Sequence, residues 1–195
     1  MHGLINCAIQ SFFCNTYSEA RWLAVMRRAG IDGAGFEAML VYDDEVSESM
    51  VAAVCDELGR PRDEVMEDIG TFIVSHPSLE ALRRLLRFGG VTYIDFLHSL
   101  DDLPDRVQLA VSDLVLPDLE LREHTPGLFS LTCKPGLPGF GFVMMGILRA
   151  LADDYGALVI LDHRGQHDGG EVISIALIET DYAEGRSFDL GARSA

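Results

Sequence analysis

The stretch from Tyr93 to Val107, YIDFLHSLDDLPDRV, decides how this chain folds. Phe96, Leu100, Leu103 and Val107 recur at three- and four-residue intervals, the period of a helix with one buried stripe. His98 falls on the other side with Asp95, Asp101 and Asp102, where a solvent-facing imidazole pairs with a carboxylate. Pro104 interrupts the pattern. It carries no N–H, and its ring collides with the preceding turn, so a helix there kinks or restarts. Asp101 or Asp102 stands where a second segment would be capped. The spacing therefore predicts helix from Val91 to about Asp113, broken at Pro104.

Toward the N-terminus the helical period persists. Leu4, Ile5, Ala8, Ile9, Phe12 and Phe13 make a broad apolar stripe up to Tyr17, and Ser18 caps a helix that Gly30 closes. Asp43 to Gly59 carries Val46, Met50, Val54 and Leu58 four apart. Pro61 opens a further helix with Val65, Ile69, Phe72 and Ile73, which His76-Pro77 breaks. Leu79, Leu82, Leu85 and Leu86 then continue in a helix that ends at Gly89-Gly90.

Past Pro117 the period changes to two. Leu119 and Leu121, then Leu128 to Cys133, read as strands around a turn at His124 to Gly127. Pro138 to Tyr155 is one long apolar helix. Ala157 to His163 and Glu171 to Glu179 read as a hairpin joined by Arg164 to Gly170. The order defines an α+β fold, a helical first part followed by a roughly four-stranded antiparallel sheet with one long packed helix. One domain is expected over residues 1–181, with 182–195 a polar, frayed tail.

Composition narrows the function classes. The 195 residues carry 48% hydrophobic and 24% charged residues, an ordinary globular mix. Fifteen Lys plus Arg against 31 Asp plus Glu give a net charge of −16, which repels phosphate backbones and anionic lipid. No nucleic acid, no membrane and a cytoplasmic location are expected. Lys134 is the only lysine among the 15 cations. Cys7, Cys14, Cys55 and Cys133 form no C-x-x-C; Cys7 and Cys14 read as same-face core residues. His163 and His167 have metal-pair spacing but fall in the Gly-rich hairpin, where they read as a solvated turn. GLPGFG at 136–141 lacks the Lys-Ser/Thr of a phosphate loop. Asp101, Asp102, Asp105 and Asp113 read as a solvated acidic face without a partner. No catalytic constellation is present, and the chain is not expected to be an enzyme.

Phe96-Leu97, Leu100-Asp101 and Leu103, an F-L-x-x-L-D-x-L core, resemble the haem-nitric-oxide/oxygen-binding (H-NOX) domains, gas sensors of bacteria and of soluble guanylate cyclase. The opening MHGLIN, Trp22, Pro117, Gly136-Leu137 and the long helix after them are similar as well, to about Glu179. The resemblance implies a haem held by a proximal histidine, a proline thirteen residues later pressing on the porphyrin, and a Y-x-S-x-R motif gripping the propionates. Along this chain Pro104 falls at the proximal ligand, Pro117 at the distorting proline, and Ser130, Thr132 and Lys134 at the motif. Thr132 keeps the hydroxyl and Lys134 the charge, while Pro104 has no atom to offer iron. His98 and His76 are the alternative ligands.

Three readings follow from the resemblance. One is a haem- or tetrapyrrole-binding, nitric-oxide-sensor-like signalling domain with a non-standard iron site, which Pro117, Thr132 and Lys134 favour. Another is a haem-free protein-interaction or hydrophobic-ligand module, which Pro104 and Ser130 favour. The third, an enzyme acting on a tetrapyrrole, lacks a redox group. By family analogy the partner is a separate signalling enzyme, a histidine kinase or a cyclic-dinucleotide enzyme.

Overall fold

A computed structural model gives the fold and describes residues 1–33 and 35–186, so most of the expected tail lies outside the described residues. The first helix, α1 (Gly3–Thr16), starts where His2 Nδ1 accepts the Leu4 N–H at 3.2 Å. In α2 (Glu19–Ala29) the Ser18 hydroxyl accepts the Arg21 N–H at 3.3 Å, and Gly30 closes the helix at φ 68°. Helices α3 (Asp44–Leu58) and α4 (Arg62–Ser75) complete a cluster that buries Phe13, Trp22, Met26, Met50, Val54, Val65 and Ile69. A 3₁₀ turn at Pro77–Leu79 leads into α5 (Glu80–Arg87).

The decisive stretch forms two helices, α6 (Tyr93–His98) and α7 (Leu103–Ala110). Thr92 and Asp95 close a capping box at the start of α6. Its stripe is buried as the spacing predicts: Phe96, Leu97 and Leu100 are fully enclosed, with Leu103 and Val107 beside them. The break falls earlier than expected, over residues 99–102, and Pro104 lies within the first turn of α7, where a missing N–H costs nothing. Asp102 is the cap residue but makes no side-chain cap bond. The Asp101 carboxylate instead accepts the Leu121 N–H at 2.7 Å, so an acid expected to be unpartnered ties the break to the sheet.

Strands β1 (Leu119–Thr125) and β2 (Leu128–Cys133), helix α8 (Phe140–Tyr155), and strands β3 (Leu158–His167) and β4 (Gly170–Glu179) follow. The antiparallel sheet runs β1-β2-β4-β3. One face, carrying Leu119, Phe129, Leu131, Cys133, Ile173 and Ile175, is buried beneath α8, as period-two alternation requires. The β3–β4 hairpin is longer than its sequence pattern implied. Its tip is the pair Asp168-Gly169, both at positive φ (49° and 83°), the geometry of a tight two-residue turn. On its other side α8 crosses α4 so closely that a Cβ on Gly70 would strike the Val143 carbonyl, and one on Gly146 the Glu67 carbonyl. Beyond the sheet the chain turns back along α8, with the Ala183 N–H on Gly156 O at 3.0 Å and the Arg186 N–H on Asp154 O at 2.8 Å.

Candidate functional site

Pro104 is half-buried, with its neighbours Leu103 and Val107 turned into the core. Arg106, on the next position but one, donates to Ser99 O at 2.9 Å and to Leu85 O at 3.5 Å. Pro117 is buried immediately before β1 and packs close to Gly136, where an added Cβ would sit 3.2 Å from its Cγ. Two positions far apart in the sequence are thus brought together.

Ser130, Thr132 and Lys134 alternate with the buried Phe129, Leu131 and Cys133 and share the sheet face away from α8. Thr132 is half-buried and pairs in register with Glu120. Lys134 Nζ is exposed and 3.1 Å from Glu120 Oε2. Hydrogen bonds from Arg122 first, then Lys134, hold the Glu120 carboxyl below the usual carboxylate range. The Ser130 hydroxyl meets His124 Nε2 at 2.8 Å. A carboxylate-bearing ligand approaching Lys134 therefore has Glu120 to displace.

His98 is exposed, as the stripe implied, but its partners come from the sheet. Its Nε2 is 3.7 Å from Glu123 and its ring stands edge-on to Phe129 at 5.9 Å. His76 holds the Ser78 hydroxyl at 2.7 Å and stacks on Phe72 at 4.5 Å. His163 is a correction to the sequence reading, since it is no part of a solvated turn. It lies in β3 on the α8 side, stacked on Phe142 at 4.1 Å and bonded to Glu171 at 3.0 Å. Glu171 also accepts the Gly139 N–H at 3.1 Å, so the pair clasps the start of α8. The signal was present: His163 continues the alternation Val159, Leu161.

Sequence reasoning missed a second group altogether. His2 is 7% exposed and Asn6 fully buried, and His2 Nε2 and both Asn6 amide atoms find no partner among the described residues. The cue would have been spacing, because His2, Asn6, Ile9 and Phe13 fall on one helical face.

Among the described residues no three His, Cys, Asp or Glu side chains gather as a metal site, and no helix is long and apolar enough to cross a membrane. Two surface clefts, of about 650 and 530 Å³, lie beside Asp153, Asp154 and Arg149 and beside Leu23, Met26 and Ile31. Neither includes Pro104, Pro117, Thr132 or Lys134.

The order of elements, the break before Pro104 and the sheet beneath one long helix define an α+β architecture of a helical half followed by an antiparallel sheet. The haem-NO-binding family model matches residues 2–163, and the chain belongs to that family. It is 25% identical over 154 residues to the soluble guanylate cyclase gcy-31 of Caenorhabditis elegans, covering 79% of this chain and 22% of the cyclase. Soluble guanylate cyclase 89Db of Drosophila melanogaster is 20% identical over 183 residues, 92% of this chain and 27% of that protein. The chain thus spans about a quarter of the length of these relatives. A variant of the H-NOX protein from S. oneidensis in its Fe(II) state superposes with a TM-score of 0.78 at 16% identity, over 96% of this chain and all of that one. An oxygen-binding H-NOX domain related to soluble guanylate cyclases gives 0.67 at 14% identity, over 96% and 100%.

Haem is the cofactor of this family, and the family is a sensor domain, not a catalyst. The residues present offer haem an apolar interior and histidine nitrogens. Pro104 gives iron no lone pair, and the rings of His76 and His98 are engaged by Ser78 and by Glu123 with Phe129. What remains is an apolar interior and one buried imidazole nitrogen without a partner, Nε2 of His2.

Proposed function

We propose that residues 1–181 form a haem-binding, nitric-oxide-sensor-like signalling domain whose iron is not held by a histidine of α7. The observation that carries this reading is Pro104, half-buried in the first turn of α7 at the position that resembles the family's proximal ligand. Haem supplies an iron at which a diatomic gas binds. The chain's own residues supply the rest. Pro117 would press on the porphyrin, and Thr132 and Lys134 would hold the propionates, with an ammonium in place of a guanidinium. The output is read by a separate cytoplasmic signalling enzyme, a histidine kinase or a cyclic-dinucleotide enzyme.

A visible spectrum of the purified protein after haem addition tests this. We expect a stoichiometric Soret band that shifts with nitric oxide. Pro104→His should create or strengthen a five-coordinate haem spectrum, because the ring is then placed on α7 beside Leu103 and Val107. Absence of any stoichiometric band in the wild type favours the second reading, a haem-free interaction module, for which the Lys134–Glu120 pair also speaks.

A further inference from the structure

We propose that His2, at the start of α1, is the imidazole this protein turns toward a bound haem in place of a histidine on α7. The assignment rests on the haem-binding reading above and names the residue behind it. Elimination comes first. His98 and His167 are exposed, His124 is exposed and bonded to Ser130, and His76 is bonded to Ser78. Both ring nitrogens of His163 are taken, Nε2 by Glu171 and Nδ1 by the Gly165 N–H at 3.2 Å. Among the described residues His2 alone joins burial to a ring nitrogen without a partner.

Its placement is built. The Met1 ammonium donates to Tyr42 O and to Asp44 Oδ1, both at 2.7 Å, and the Gly3 N–H donates to Leu40 O at 2.7 Å. Gly3 has no Cβ to keep that segment off; one would strike the Glu37 carbonyl. The first turn of α1 is therefore clamped, and His2 is held on the stripe that Asn6, Ile9 and Phe13 continue into the apolar core. A largely apolar macrocycle requires such a face, and its iron takes an axial donor at the edge, which an unpartnered imidazole nitrogen supplies.

The cap adds a consequence. His2 Nδ1 accepts the Leu4 N–H, so in the neutral ring the proton is on Nε2. An Nε2 that binds iron carries the lone pair instead, and the proton moves to Nδ1, opposite another donor. The Leu4 hydrogen bond is then given up. Occupation of the site loosens the first turn of α1.

The test titrates haem into the full chain and compares wild type with His2→Asn and His98→Asn. Asparagine is among the strongest N-cap residues, so His2→Asn keeps an acceptor for the Leu4 N–H while removing the imidazole. We expect an imidazole-type Soret spectrum in wild type and in His98→Asn. In His2→Asn that spectrum should be lost, haem affinity should fall at least tenfold, and added imidazole should restore the band. Hydrogen exchange supplies a readout apart from the spectrum: the Leu4 amide should exchange faster in the haem-loaded wild type. A wild-type spectrum that His2→Asn leaves unchanged overturns the assignment alone. A wild type that takes up no haem overturns the haem reading with it.

Discussion

Cys133 shows how far burial moves a single side chain. It is 1% exposed at the end of β2, and burial, with the Glu171 charge adding to it, pushes its thiol up to about 12 from an ordinary 9.0. The fold holds that proton more tightly than the unfolded chain does. Its contribution to stability is complete below pH 9 and is lost as pH rises from 9 toward 12, in all about 4 kcal/mol. Urea unfolding at pH 8 to 10 should show a steep decline for the wild type and a shallower one for Cys133→Ala. Tyr93, raised by complete burial, adds its own loss above pH 10. Arg83 and Asp154 are the opposite case, a charged pair only 14% and 7% exposed, 2.5 Å apart. Asp154→Ala leaves a guanidinium without its charge partner and should cost about 3–5 kcal/mol, read as a lower urea midpoint at unchanged slope. At this scale the sequence was partly legible. Lys134 stands out as the sole lysine, yet its partner Glu120 lies across a strand register that no local pattern reports. His2 hid for a similar reason, since an unpartnered nitrogen is a property of the packed interior.

Among elements, the joint between α6 and α7 depends on Arg106. Its guanidinium reaches Ser99 O just past α6 and Leu85 O in the last turn of α5, two places where helix carbonyls run out of partners. Burial lowers its pKa, and the Asp102 charge offsets that only in part. Arg106→Met should cost about 1–3 kcal/mol and raise hydrogen exchange across residues 99–110, with α1 to α4 unaffected. The helices themselves were readable from their apolar stripes, with the Ser18 cap and the Gly30 and Gly59 stops agreeing with them. The exact place of the break was not. A proline marks the nearest tolerated helix start, and the break therefore sits several residues ahead of it, where Asp101 finds the Leu121 N–H. The β3–β4 connection, read as Arg164 to Gly170, contains the true tip at Asp168-Gly169, but the strands run further toward it than the Gly-rich stretch suggested.

Over the whole molecule, the net charge of −16 sets the terms on which another protein can approach. Asp101 and Asp102 in the α6–α7 break and Asp105 just past it are exposed, so a partner reading that surface is basic. Its affinity should fall steeply between low and physiological salt. Reversing Asp102 and Asp105 to Lys should weaken a captured partner severalfold at low salt; unchanged affinity would make that face merely solvated. The placing of β2 beside β4 does not follow from patterns the chain displays openly, whereas fold class does, from a helical period up to Pro117 and alternation after it. The crossing of α4 over α8 is different, because two glycines 76 positions apart give no sign that they share a contact. That crossing divides the molecule mechanically. Where backbone rests on backbone there is no cushion of side chains to compress, so α4 and α8 behave as a stiff spar. Any guest admitted between the helical and sheet halves must find its room elsewhere, by yielding of α1 or of the α6–α7 joint. Compliance in this fold is left to those two borders.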